Sequence, residues 1–223
     1  MELYWPGGVV LKSVLMGLYT LITDHPVLAA TAGFFVCLEG HYLWRLLGRA
    51  VTDQFFLRRV APLDTIRNYS ICTTTDLDAF FHMNNARYAR EMDFGRWGYH
   101  VRTGLYSHWR NTDVRVLQAS MLIRYRKEVS LLMPFVVETR LVYWDDASLY
   151  FEQKLVTLHD RRARCVSLSQ QRVVGSLTPQ QLMTMAFGAD TPPPPPSDSV
   201  RAFIDANSAY QRDLAIIEKR ELQ

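Results

Sequence analysis

The chain is predicted to be an α+β protein in which an antiparallel sheet wraps one long helix, preceded by apolar membrane-anchor helices. Three observations predict this. A series of segments between residues 119 and 174 alternates apolar and polar residues with a period of two. One long helical stretch from Asn84 to about Thr103 mixes small and large residues and precedes that series. Residues 1–44 hold only four charged residues, Glu2, Lys12, Asp24 and Glu39, of 25 basic and 22 acidic residues in the chain.

The amino-terminal segment, 1–58, carries two apolar stretches. Val9–Thr23 is interrupted by Lys12, and Pro26–Leu47 by Glu39 and Arg45, so neither offers 18 uncharged residues in a row. The second is nevertheless about the length a bilayer requires, with Tyr42 and Trp44 placed as interfacial aromatics. Arg45, Arg49, Arg58 and Arg59 follow it, and the positive-inside tendency then places the rest of the chain in the cytosol. A cleaved signal peptide and a buried helical hairpin are the alternatives. Duplication of the apolar stretches and Glu2 in place of a basic start argue against the signal.

Residues 59–188 form the expected main domain. Ile66–Thr75 is β-prone. The helix from Asn84 closes on Gly104, with Arg102 in its last turn. Ala86, Ala89, Gly95 and Gly98 lie among Tyr88, Met92, Phe94 and Trp97, which suits a helix packed closely on a sheet. Ala119–Lys127, Phe135–Trp144, Leu149–Leu158 and Arg164–Val174 read as strands, and Asp145–Ala147 and His159–Arg162 as turns between antiparallel neighbours. Thr178-Pro179 opens a short helix to about Phe187. Residues 189–198 are a linker containing five consecutive prolines. Residues 199–223 form a final helix with Val200, Phe203, Ile204, Leu214 and Ile217 as a docking stripe.

A net charge of +3 with no dense Lys/Arg block argues against a nucleic-acid partner. Cys37, Cys72 and Cys165 are too few and too scattered for a disulfide framework or a zinc site, and fit a reducing compartment. No metal or other cofactor is expected. Asp76, Asp78 and His82 offer ligand types, but no second cluster completes them.

Chemistry concentrates in residues 76–88, where two carboxylates, a histidine and two amides precede a helix N-terminus. Backbone N–H groups there favour developing negative charge, so a carbonyl bound at this point gains an oxyanion site while a nearby Asp positions water. Capping alone would also select such residues, with Asn84 or Asn85 as the N-cap. Asp76-x-Asp78 with Asp145-Asp146 also invites comparison with haloacid-dehalogenase-type phosphatases. Those need buried parallel strands, whereas residues 136–144 alternate and carry Glu138 and Arg140.

The run Asp76-x-Asp78-x-x-x-His82-x-Asn84-Asn85-x-x-Tyr88 resembles the signature of the 4-hydroxybenzoyl-CoA thioesterase-like branch of the hotdog fold. His82-Met83-Asn84-Asn85-Ala86-Arg87-Tyr88, followed by Arg90-Glu91-x-Asp93-Phe94 and Tyr143-Trp144-Asp145-Asp146, is similar to the membrane-anchored thioesterase superfamily member six group. The resemblance implies a homodimer that binds an acyl-CoA or acyl-carrier substrate between subunits. It implies that Asp78 is the catalytic carboxylate and His82 an orienting or acid-base group. Asn84, Asn85 and Tyr88 then hold the substrate at the oxyanion site, and Asp93 matches a helix carboxylate of some relatives. Plant acyl-carrier-protein thioesterases have an Asn between the Asp and His positions where this chain has Phe80.

The function so implied is hydrolysis of fatty acyl-CoA to free acid and CoA at a membrane surface, with the endoplasmic reticulum as the expected location. The alternative from another class is a non-catalytic acyl- or lipid-binding hotdog scaffold in membrane lipid homeostasis. A hydratase on the same fold lacks its Asp and His spacing here.

Overall fold

A computed structural model describes residues 13, 16–17, 19–20, 22–37, 40–56, 58–188 and 190–221. The chain divides into two compact units, 1–48 and 49–223. In the first, Pro26–Cys37 is helix α1 and Gly40–Val51 is helix α2, which continues into the second unit and through a π-helical turn, Thr52–Phe56. Among the described residues no single helix is long and apolar enough to cross a membrane. Pro26–Phe35 and Gly40–Phe55 meet that test only together, as a pair bent by 78°. The apolar stretch expected over 26–47 thus forms two helices with a sharp bend between them. Much of Val9–Thr23 lies outside the described residues.

The second unit begins its sheet with β1, Ile66–Ile71. The long helix α3, Asn85–Arg102, follows, then a short helix α4, Leu105–Trp109. Four strands complete the sheet: β2 Arg115–Tyr125, β3 Pro134–Trp144, β4 Ser148–Thr157 and β5 Ala163–Val174. Helix α5, Pro179–Phe187, and helix α6, Asp198–Glu221, end the chain. The strand order is β1-β3-β4-β5-β2, and every pairing is antiparallel. The ends of β3, β4 and β5 agree with the expected segments within a residue; β1 stops at Ile71, four residues short of Thr75, and β2 runs from Arg115 to Tyr125 where Ala119–Lys127 was expected. A bulge at Gln118/Ser120 interrupts the alternation there.

Helix α3 packs on β3, β1 and β4. It can approach so closely because of its glycines. A Cβ on Gly95 would meet Thr139 Oγ1 at 2.5 Å and Gln153 Nε2 at 2.9 Å. The helix ends as its sequence requires, with Gly104 in the left-handed region at φ 82°. Two apolar clusters fill the interior. One gathers Ile66, Tyr99, Leu105, Trp144, Phe151 and Leu182 toward the C-terminal end of α3. The other gathers Cys72, Met83, Tyr88, Met92, Val129 and Phe135 at its N-terminal end. A buried polar layer lies at the middle of the helix: Gln153 Nε2 donates to Met92 O (2.8 Å) and Thr139 Oγ1 (2.9 Å), and Arg96 Nη1 donates to Gln153 Oε1 (2.5 Å).

Trp144 locks α5 onto the sheet by donating from Nε1 to Gln180 Oε1 (2.8 Å), and Thr178 caps that helix through Gln181 N–H. Helix α6 departs from the expected docking stripe. Val200 and Phe203 are buried, but Leu214 and Ile217 are exposed.

Candidate active site at the N-terminus of the central helix

Residues 76–84 form a tight turn of two antiparallel arms. Leu77 pairs with Met83, Asp78 N–H donates to His82 O (2.9 Å), and Phe81 N–H donates to Asp78 O (3.1 Å). The arms are fixed below. Asn84 N–H donates to Asp76 O and Met83 N–H to Val129 O, both at 2.8 Å. His82 pairs with Ser130, so the loop between β2 and β3 lies against the turn.

The two aspartates have separate roles. Asp76 is fully buried. Its carboxylate is ion-paired with Arg90 and accepts from Thr73 N–H (2.8 Å) and Thr73 Oγ1 (2.9 Å). It is therefore a structural post for the turn. Asp78 is half-buried; its Oδ1 accepts from Phe80 N–H (2.9 Å), while Oδ2 takes no hydrogen bond among the described residues. One oxygen is thus oriented and the other is available. The His82 imidazole is half-buried and makes no hydrogen bond among the described residues. Asp78 and His82 are brought together through their backbones at the mouth of one turn.

Asn84 is the N-cap of α3, its Oδ1 accepting from Ala86 N–H (2.9 Å), which spends the side chain on the helix start. Asn85 is exposed, and its carbonyl accepts from the Tyr125 hydroxyl (3.1 Å). Tyr88 is buried: its hydroxyl donates to Lys127 O (3.4 Å) and accepts from Val129 N–H (3.1 Å). Burial pushes the Tyr88 phenol up to about 12, so it stays a neutral donor. The ring meets Tyr125 edge to face at 5.3 Å. Asp93 lies away from this group, exposed and ion-paired to the buried Arg96.

The tip of the turn is apolar. Phe80 and Phe81 are exposed, and Phe81 holds φ 61°, a conformation that L side chains rarely adopt. Leu131 and Leu132, on the loop paired to His82, are exposed too. Beyond Tyr125, a recess is lined by Arg126, Lys127, Arg162 and Ala163. These basic residues, Tyr125 and the buried Arg90–Asp76 pair were missed in the motif. Tyr125, Arg126, Lys127 and Arg162 lie far along the chain from the motif, the Arg90–Asp76 pairing is set by burial, and the one local signal is a phenol at Tyr88 that needs a partner once buried. Among the described residues no three His, Cys, Asp or Glu side chains are grouped to hold a metal ion.

The arrangement offers a carboxylate with one oriented oxygen, a histidine joined to it through the backbone of the same turn, and the N-terminus of a long helix. That is the equipment for polarising a carbonyl and activating water. Comparison with known proteins points the same way. The chain is 33% identical over 173 residues to Protein THEM6 of Drosophila melanogaster, covering 77% of this chain and 89% of that one. It is 35% identical over 161 residues to Protein THEM6 of Xenopus laevis, covering 70% and 77%. YbaW, a probable thioesterase from Escherichia coli, superposes with a TM-score of 0.51 at 14% identity over 56% of this chain and 99% of that one. Slr0204, a 1,4-dihydroxy-2-naphthoyl-CoA thioesterase from Synechocystis, gives a TM-score of 0.50 at 7% identity over 56% and 96%. Both share the hotdog fold seen here. Residues 72–204, from the buried Cys72 below the turn to the start of α6, match the thioesterase-like superfamily, and the chain belongs to that family.

Proposed function

We propose that the protein hydrolyses fatty acyl-CoA thioesters to free acid and CoA at a membrane surface. The observation that carries this reading is the Asp78 carboxylate, held by one oxygen in the turn that leads into α3, in the same turn as His82, to whose carbonyl the Asp78 backbone N–H donates. In the reaction Asp78 takes a proton from water, or attacks the thioester carbonyl itself. The carbonyl oxygen lies toward the N-terminus of α3, where Asn84 and Asn85 begin the helix, and His82 orients the reacting group. Tyr88 acts on the 127–129 loop that borders the site. Arg126, Lys127 and Arg162 supply positive charge suited to the phosphates of CoA. The exposed Phe80, Phe81, Leu131 and Leu132 suit an acyl chain or a lipid surface.

The protein acts as a homodimer in this reading. Strand β2 is the last strand of the sheet, and its outer edge pairs with no other strand among the described residues, with Leu117, Leu122 and Tyr125 exposed. Residues 1–58 hold it at an organelle membrane, the endoplasmic reticulum by preference, with the catalytic unit in the cytosol. The bent apolar pair α1–α2 and the arginines that follow it support this.

The test is release of free thiol from a panel of acyl-CoAs by the purified full-length chain and by Asp78→Asn. A drop of about 10²–10⁴-fold is expected for the variant; equal rates overturn the assignment. Phe80 favours the second reading, acyl binding without turnover, because an exposed ring occupies a position where an amide would serve catalysis. That reading predicts saturable acyl-CoA binding with no thiol release.

A further inference from the structure

Helix α6 carries one apolar face along its whole length, of which the sheet uses only the first part. Val200, Phe203, Asn207, Tyr210, Leu214 and Ile217 recur at spacings of three and four and share that face. Val200 and Phe203 are buried, and Ser199 beside them borders a recess with Leu122, Arg124, Val166 and Leu168 on the outer surface of the sheet. Asn207 Nδ2 donates to Ser120 Oγ (2.7 Å) on β2 and to Gln170 Oε1 (3.1 Å) on β5. From Tyr210 to Lys219 every residue is exposed, Tyr210 at 65%, Leu214 at 38% and Ile217 at 48%. The helix thus keeps its docking face after it has run out of sheet to dock on. It leaves from β2, the terminal strand.

The same outer surface of β2 is short of a partner. Its pairing with β5 places Arg115, Leu117, Ser120, Leu122 and Arg124 on the face that α6 crosses, opposite Val174, Arg172, Gln170, Leu168 and Val166. Leu117 is 52% and Leu122 57% exposed. Residues 208–221 extend about 20 Å past Asn207 at 1.5 Å per residue, and strands lie about 4.8 Å apart. A second sheet joined to the β2 edge would present its own Leu117 and Leu122 within that reach. Around Leu214 and Ile217 the overhang carries Arg212, Asp213, Glu218 and Lys219, two of each sign, and the strand face carries Arg115 and Arg124.

We propose that the C-terminal half of α6 is a clasp: Tyr210, Leu214 and Ile217 dock on the outer face of β2 in a second copy of this chain. The contact is made twice by symmetry, each copy giving a helix and receiving one. It rests on the dimer reading above and specifies how the dimer is secured. The clasp lies on the sheet surface opposite α3, so it ties the subunits together without entering the site at Asp78.

Energy transfer between two differently labelled batches of the full-length chain in nonionic detergent measures the dimer constant. The double variant Leu214→Asp/Ile217→Asp, at residues exposed within one copy, is expected to weaken the dimer at least about 10-fold. Near-UV circular dichroism should be unchanged, since Val200 and Phe203 keep the helix docked. With p-benzoylphenylalanine in place of Tyr210, irradiation of mixed isotopically light and heavy chains should give cross-links from one copy to residues 115–124 of the other. An unchanged dimer constant with cross-links only inside one chain overturns the clasp while leaving the dimer standing. Lipid adducts in nanodiscs in place of chain-to-chain cross-links overturn it in favour of a membrane occupant. A wild-type chain that is monomeric at all concentrations overturns both readings.

Discussion

Arg90, on the second turn of α3, is ion-paired with the fully buried carboxylate of Asp76, two residues ahead of Asp78. The pair ties the turn to the helix, so the two aspartates of the motif differ in what they cost to lose. Asp76→Asn leaves Arg90 at a buried site with its charge partner removed, a change that typically costs about 3–5 kcal/mol. Urea unfolding should therefore show a large loss for Asp76→Asn and little for Asp78→Asn, while thiol release is lost in Asp78→Asn. The reverse ranking would show that the roles are exchanged.

Tyr88→Phe tests the loop beside the site. The hydroxyl satisfies Val129 N–H at 3.1 Å inside the apolar cluster under the turn. Removing it leaves that buried donor unpaired, at a cost of about 1–3 kcal/mol. Amide hydrogen exchange at residues 127–130 should quicken in the variant, with a smaller change across β4. Unaltered exchange there would mean that the phenol does not hold the loop.

Gly95→Ala tests the contact between helix and sheet. The added methyl would stand 2.5 Å from Thr139 Oγ1 and 2.9 Å from Gln153 Nε2, two groups already bonded to each other in the buried polar layer. Neither can retreat without breaking that bond, so the expected loss is about 1–3 kcal/mol or more. A thermal midpoint equal to wild type would show that α3 rides farther from β3 than described.

The fold was legible where a residue's local role and its tertiary role coincide. Gly104 ends α3 because only glycine is at ease at φ 82°, and Thr178-Pro179 starts α5 by the same kind of local logic. The alternation of β3, β4 and β5 follows from one face meeting α3. Leu214 and Ile217 share the docking face but are exposed within one copy, because helical spacing names a face without saying where the opposing surface ends. The motif showed where the site lies but not its division of labour. Asp76 and Asp78 look alike in sequence, and only burial against Arg90 separates them. Tyr125 and Lys127 reach the site from about 40 residues away along the chain, through pairings no local pattern encodes.

Stability should depend on pH through His100. Its ring is buried against Tyr99, Phe151 and Trp109, and Nε2 bonds Gln171 Oε1 at 2.7 Å. Burial, aided by the positive Arg96, lowers His100 from 6.5 to about 4, with the Gln171 bond acting the other way. Between those values the unfolded chain binds a proton that the folded chain does not, so stability is full above about pH 6.5 and falls as the pH drops toward 4. The loss is on the order of 3 kcal/mol. Urea midpoints at pH 7 and pH 5 should differ, and His100→Gln should flatten the difference. An equal slope in the variant would assign the effect to another group.

Phe81 gives the last expectation. A phenylalanine held at φ 61° and 76% exposed gains little from burial and carries backbone strain of about 1–2 kcal/mol. Glycine would relieve the strain, offset in part by its greater freedom in the unfolded chain. Phe81→Gly should therefore raise the thermal midpoint by a few degrees or leave it unchanged. If the ring serves only the fold, acyl-CoA turnover and binding should follow stability. If it meets the acyl chain or a lipid surface, as its place beside Phe80, Leu131 and Leu132 suggests, KM for long-chain acyl-CoA should rise in a protein that is no less stable. Strain kept at an exposed ring is hard to explain by folding alone, and a loss of affinity confined to long chains would identify what it is kept for.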